Sequence, residues 1–312
     1  MDLRGDLLIH HFVVPLLRWR RLIDMAQAFR EVRTVTGNFM RVNVFPVRQY
    51  QYARKKKMKP TGAAMAKLNQ ERRARLLADL VNLNFTKKDI QIKLDYATFR
   101  EEHGRNPEPD EVKREIANFM RRLKRVYKRL GIDLKYIYAS EVGTRGHLSH
   151  HHVIINAGIT YEELRALWHN GGIWTRYLYF DKKGCYDLAS YFVKSKYTYR
   201  SYTCSKNLIR PQETGKYKCI YKDDYKIHQK QVNLMMSGEI EDIRRMYPGW
   251  ELAELPEVAQ TLDTDTGELR LPKWGIFITM YLYKPEGLSD PASRWDRIEK
   301  YINWEETDVK ST

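Results

Sequence analysis

His150-His151-His152-Val153-Ile154-Ile155 is the stretch from which the fold can be read. In an extended chain successive side chains alternate, so His150 and His152 share one face and His151 takes the other. Two imidazoles two positions apart on one face can grip a single divalent cation. The apolar continuation, Val153 to Ile155, buries the strand in a sheet and holds the pair rigid.

On the N-terminal side, Leu134 to Val142 reads as a strand and Gly143 to Gly146 as a turn. A hairpin turning near Arg145 sets Glu141 across from the histidines. Two nitrogen donors and one carboxylate leave coordination positions open, as a catalytic ion needs. Mg2+ or Mn2+ suits this set where phosphate oxygens are to be neutralised. His147 flanks the same hairpin, and no cysteine cluster supports a structural zinc site instead.

On the C-terminal side, Thr160-Tyr161-Glu162-Glu163 has the pattern of a capping box that opens a helix, which Gly171-Gly172 closes. Ile173 to Phe180 reads as a strand, and Asp187 to about Tyr197 as a helix. Tyr191 and Lys194 lie at i, i+3 there, on one helix face. With 21 tyrosines in the chain, most must pack or stack, and only its spacing singles out Tyr191. Tyr186 and Tyr197 are its rivals. A phenol, with a reference pKa of about 10, needs a cation or base nearby to act as a nucleophile at neutral pH. Lys194 could stabilise the phenolate or the charge developing on a phosphoryl group. Paired histidines, a tyrosine and a basic chain point to cutting a nucleic-acid strand through a phosphotyrosine bond.

Further out, Ile90 to Tyr96 alternates as a strand, and Asn106 to Asp110 turns, with Asp110 as the cap of a helix from Glu111 to about Leu130. Ile116, Phe119, Met120, Leu123 and Val126 form its apolar stripe, and Gly131 stops it. Ala63 to Leu83 is a further helix. Thr34 to Val44 reads as a hairpin around Gly37-Asn38, and Trp274 to Tyr283 as a strand. The order of strands and helices is that of an α+β protein on an antiparallel sheet. There is no internal repeat and no GxxxxGK[ST] phosphate loop, which excludes a recognisable NTPase motor.

The 312 residues are 43% apolar, enough for a sizeable core, and carry a formal charge of +16 that calls for a polyanionic partner. The excess lies in the first three quarters: from Met235 onward there are 16 acids against 9 bases. Arg54, Lys55, Lys56, Lys57 and Lys59, interleaved with Tyr50 and Tyr52, are either a solvated loop or an arm along phosphates. Three cysteines without CxxC spacing fit a reducing cytosol. No apolar run approaches the roughly eighteen residues of a membrane helix. Leu7 to Leu17 lacks the features of a signal peptide, and translation from Met25 is an alternative start.

Glu141, Gly146-His147, the His150–Ile154 run and Tyr191-Phe192-Val193-Lys194 together resemble the HUH endonuclease superfamily, specifically its rolling-circle replication initiators. Pro60 to Phe85 and Tyr202 to Leu208 are similar to initiators on small plasmids and mobile elements of Firmicutes. The resemblance spans about Arg30 to Pro211. It implies a ferredoxin-like (RRM-like) central antiparallel sheet with the histidines on its middle strand and helices on its faces. It implies Glu141, His150 and His152 as metal ligands and Tyr191 as the nucleophile that stays joined to the 5′-phosphate. The organisation expected is an N-terminal extension (1–29), an origin-nicking domain (30–211) and a C-terminal region of open role (212–312). Arg121 to Arg129, Tyr199, Tyr202, Lys206 and Arg210 are further candidates for DNA contact. The partners expected are single-stranded or hairpin origin DNA and the helicase and polymerase of a bacterial host cytoplasm, not a membrane. Two features depart from the family: Asp95-Tyr96 stands where a Thr-Leu-Thr-Tyr-like strand end is usual, and the acidic last hundred residues match no family motif. A conjugative relaxase, a single-tyrosine transposase and a non-catalytic repressor of the same fold are the competing readings.

Overall fold

Two antiparallel sheets and the helices between them make up the computed structural model, which describes residues 29–47, 63–141, 148–194, 202–210, 222–259, 261–262, 269–270 and 275–295. A hairpin of β1 (Phe29–Thr36) and β2 (Phe39–Pro46) comes first, closed by Gly37-Asn38. Gly37 has φ 65°, the left-handed conformation this turn requires. Then follow α1 (Ala63–Asn84), β3 (Ile90–Leu94), α2 (Ala97–His103), α3 (Pro109–Arg129), β4 (Tyr136–Glu141) and β5 (His150–Ile155). The middle of the chain ends with α4 (Tyr161–Arg165), β6 (Ile173–Tyr177), α5 (Tyr186–Lys194) and β7 (Thr203–Cys204). Beyond it lie β8 (Lys222–Ile227), α6 (Gln229–Ser237), α7 (Ile240–Met246), β9 (Glu251–Leu252), β10 (Glu257–Val258), β11 (Thr261–Leu262), β12 (Leu269–Arg270) and β13 (Ile278–Tyr283).

The five-stranded sheet runs β6-β3-β5-β4-β7, every neighbour antiparallel. Its first four strands, taken as β3, β4, β5 and β6 in chain order, alternate with α3 and α4 as βαββαβ. That unit, in the spatial order fourth-first-third-second, is the expected ferredoxin-like arrangement. The histidine strand β5 is the middle one. Ile92, Leu94, Val153 and Ile155 on one face pack against Val112, Ile116, Phe119 and Leu123 of α3. Ile137, Ala139 and Ile154 on the other face meet Leu77, Ala78 and Val81 of α1 and Phe192 and Val193 of α5. Because both faces are covered, β5 continues as an unbroken apolar run after the histidines. Each fully buried side chain of this kind contributes about 1.5–3 kcal/mol.

The helix ends correct two expectations. Asp110 is not the cap of α3: Glu108 is, with Pro109 at the first helical position and the Glu111 carboxylate accepting from the Glu108 N–H at 2.8 Å. Proline favours that position because its ring presets φ and the missing N–H has no helical partner there anyway. Thr160 does cap α4, accepting from the Glu163 N–H at 3.2 Å, but that helix ends at Arg165 rather than near Gly171. There the chain turns inward, so that Trp168 is 3% exposed and donates its Nε1–H to the Asp95 carbonyl at 2.8 Å.

The second sheet runs β10-β13-β2-β1-β8, with β9 also on β13. The N-terminal hairpin, expected within 30–211, is therefore flanked on both sides by strands drawn from 222–283. The line at 211/212 crosses this sheet. A lone two-stranded ribbon is marginal in water, and β8 and β13 supply its missing neighbours. Of the strand expected from Trp274, the described part is Ile278–Tyr283. Val232, Met235, Ile243 and Tyr247 of α6 and α7 close one face over Phe29, Val42, Val44 and Met280. The two sheets are tied through α1, where Arg41 of β2 donates to Asp79 at 3.0 and 2.7 Å. Phe39 stacks on Phe180 with centroids 5.8 Å apart. Among the described residues no helix is long and apolar enough to cross a membrane.

Candidate active site

Register places the site. Glu141 of β4 is paired directly with His150 of β5, and Ala139 with His152. Alternation then sends Glu141, His150 and His152 to one face. Their ligand atoms all lie within 4.8 Å of one another. Glu141 Oε2 is 3.4 Å from His150 Nε2, and the two imidazoles meet edge to face with centroids 4.8 Å apart.

The hydrogen bonds of these rings are telling. His150 Nδ1 lies 2.9 Å from the Leu148 carbonyl, which accepts its proton and leaves the Nε2 lone pair pointing away. His150 Nε2 and both ring nitrogens of His152 are buried without a hydrogen-bond partner. Such groups normally find one, since burying a polar atom unpaired costs about 1–3 kcal/mol. A divalent cation held by Glu141, His150 and His152 accounts for the orphaned nitrogens, and this donor set fits one. Burial first, and the neighbouring His150 second, push His152 down to about 3, so the ring is neutral and can offer a lone pair.

His151 points to the opposite face and is fully buried. Its Nε2 lies 2.8 Å from Tyr96 Oη and its Nδ1 2.8 Å from Ser140 Oγ. Burial pushes this imidazole down to about 3 as well. The three consecutive histidines thus divide the work: two face the cluster, and the middle one is bolted to β4 and to the end of β3. Tyr96 and Ser140, which hold it, carry no signal in the sequence beyond ending a strand and preceding Glu141.

α5 crosses the same face. Phe192 and Val193 enter the core, which leaves Tyr191 43% exposed and poised over His152, with ring centroids 4.9 Å apart. Burial, and then the Glu141 charge, raise the Tyr191 phenol above its ordinary value. A positive charge in the cluster beside it would oppose both effects. Tyr186 instead packs by Tyr281, with centroids 5.9 Å apart. The Lys194 side chain, Tyr197, Tyr199, His147, and Arg54 to Lys57 with Lys59 lie outside the described residues.

The remaining candidates are more dispersed. Tyr202 is half-buried against the α1–α5 core, and burial raises its phenol. Lys206 and Arg210 are exposed beyond the edge strand β7, with Arg210 Nη2 3.1 Å from Cys204 Sγ. Arg121, Lys124, Arg125 and Lys128 are exposed on α3, which covers the His151 face, so they do not border the Glu141–His150–His152 cluster.

An antiparallel ferredoxin-like sheet with paired histidines and a glutamate on its middle strands, crossed by a tyrosine-bearing helix, defines the HUH class of protein. Residues 92–196 match a family described as replication-associated protein, of the ORF2 type, and that span holds both the cluster and Tyr191. Over those residues the chain is similar to this replication-associated family, which supports a rolling-circle replication initiator that binds DNA at an origin. Comparison with curated proteins and with solved structures returned no match.

Proposed function

We propose that the chain nicks one DNA strand at a rolling-circle origin by transesterification onto Tyr191, and later rejoins strands. The carrying observation is the set of orphaned nitrogens on His150 and His152, ringed by Glu141 and faced by Tyr191. Glu141, His150 and His152 would hold Mg2+ or Mn2+, which when bound supplies Lewis acidity toward the scissile phosphate. Leu148 orients His150, and Tyr96 and Ser140 anchor the strand through His151. Tyr191 Oη forms the new bond to phosphorus while the bond from phosphorus to the 3′-oxygen breaks. The phenol proton is lost and the leaving oxygen is protonated, giving a 5′-phosphotyrosine and a free 3′-hydroxyl. Lys194, three residues on, would steady the developing charge. The phosphoester is conserved, so a second 3′-hydroxyl can displace the tyrosine without ATP.

Arg54, Lys55, Lys56, Lys57, Lys59, Tyr202, Lys206 and Arg210 are proposed to track the backbone or stack bases. A helicase and polymerase of a bacterial host would extend the exposed 3′-end in the cytoplasm. The test incubates the protein with labelled single-stranded and hairpin oligonucleotides in Mn2+ or in EDTA. The expected outcome is an SDS-resistant adduct, dependent on Mn2+, whose peptide maps to Tyr191 and which Tyr191→Phe abolishes while binding persists. An adduct that survives Tyr191→Phe refutes the nucleophile. Binding with no adduct on any substrate favours a non-catalytic DNA-binding protein.

A further inference from the structure

A cleft lies beside the cluster on the outer half of the same sheet. Lys93 of β3 is paired with His152 on one side and with Trp174 of β6 on the other, so the three positions share a face. Trp174 is two strand spacings, about 10 Å, from His152. The cleft has a volume of about 130 Å3 and is lined by Lys93, Asp95, Tyr161, Arg165, Trp174 and the Gly171-Gly172 pair.

The glycine pair is what lets the loop close on Asp95. A Cβ at Gly171 would stand 2.3 Å from Asp95 Oδ1 and 2.6 Å from the Ala97 nitrogen, and one at Gly172 would stand 2.8 Å from Asp95 Oδ2. Asp95 Oδ1 accepts from the Ala97 and Gly172 N–H groups at 2.9 and 2.8 Å. Oδ2 accepts no hydrogen bond among the described residues and is left as a fixed acceptor at the cleft. Trp174 is half-buried, with the Arg176 guanidinium 5.2 Å from its ring centroid. Lys93 and Arg165 add positive charge. An indole to stack on, an aimed acceptor and cations for phosphate together match one nucleotide.

We infer that this cleft reads one unpaired base of the DNA strand held at the Glu141–His150–His152 cluster, accepting a base with an exocyclic amino group and rejecting thymine. The inference rests on the strand-nicking reading of that cluster. Guanine, adenine and cytosine each present an amino group to Asp95 Oδ2. Thymine presents only carbonyl oxygens and an imide N–H, and its O4 would meet the carboxylate as acceptor against acceptor.

The test selects from a randomised single-stranded DNA library with Tyr191→Phe protein in EDTA, so that binding is read without cleavage. The parent is expected to enrich sequences that exclude thymine at one fixed position. Asp95→Asn keeps Oδ1 for Ala97 and Gly172 but places a donor where Oδ2 stood, so thymine should be admitted at that position. Trp174→Ala should weaken binding to the enriched pool about ten-fold. Arg165→Ala, on the exposed end of α4, should lower the slope of log affinity against log salt by about 0.7. A parent with no thymine-excluding position, or an unchanged profile in both the Asp95 and Trp174 variants, overturns the pocket. Thermal melts of each variant identify one that loses binding by unfolding, and Arg165→Ala then carries the test. The Mn2+-dependent adduct is measured separately on the wild type, so failure of the nucleophile and failure of the pocket are distinguishable.

Discussion

At the scale of single residues, His151 and His152 are neighbours with opposite requirements. His151 has both nitrogens paired inside the core, so removing one partner leaves the other stranded. Tyr96→Phe is therefore expected to cost about 1–3 kcal/mol in urea unfolding. His152 has neither nitrogen paired. His152→Leu should leave apo stability unchanged or raise it by about 1 kcal/mol, because an unsatisfied buried polar ring is replaced by an apolar one. The same variant should lose the stabilisation that Mn2+ confers on the wild type, about 2.7 kcal/mol at a hundredfold excess over Kd. Calorimetric melts with and without Mn2+ check both halves, and a wild type whose melting temperature ignores Mn2+ would sink the metal assignment. Glu141 was legible from hairpin register. The anchoring roles of Tyr96 and Ser140 were not, because a buried hydrogen bond between residues 55 positions apart leaves no local pattern.

At the scale of elements, the helix and strand periodicities carried most of the information. α3 shows why: its stripe of Ile116, Phe119, Met120 and Leu123 is buried as the 3.6-residue period requires. α5 is read less easily. Nothing in Tyr186–Lys194 says which of its tyrosines faces the sheet, and packing of Phe192 and Val193 decides it for Tyr191. α1 serves both sheets, and the Arg41–Asp79 pair is its polar link to β2. Burial holds the Asp79 carboxyl above its ordinary value although Arg41 pulls it down. Asp79→Ala would strand a largely buried guanidinium and is expected to destabilise by about 3–5 kcal/mol. A double variant with Arg41→Met should recover part of that loss, measured as a coupling energy in a double-mutant cycle.

At the scale of the whole molecule, the second sheet interleaves the two ends of the chain. β1 and β2 are held between β8 and β13, and Phe29, Val42 and Val44 are covered by α6 and α7. A fragment ending at residue 211 would expose those side chains and two unpaired strand edges. It is expected to aggregate or to melt well below the full chain, as gel filtration and thermal denaturation would show. A soluble fragment with an unchanged melting temperature would instead make 212–312 an independent appendage. The acidic balance of the C-terminal part leaves positive charge concentrated elsewhere, where a DNA strand would lie.

The sequence by itself determined what depends on near neighbours. Alternation along His150–Ile155, the hairpin register to Glu141, the capping box at Thr160 and the apolar stripe of α3 all repeat over a few residues, and such periods survive without a partner. Only the tertiary structure decided which strands lie beside which. That choice set the histidine strand between β3 and β4, brought Tyr191 over His152, aligned Lys93 and Trp174 with the same face, and joined β2 to β13 across more than two hundred residues. Hydrogen bonding between strands is made by the backbone and is nearly blind to side-chain identity. The pairing is selected by burial summed over the whole core, a quantity that no single stretch of chain contains.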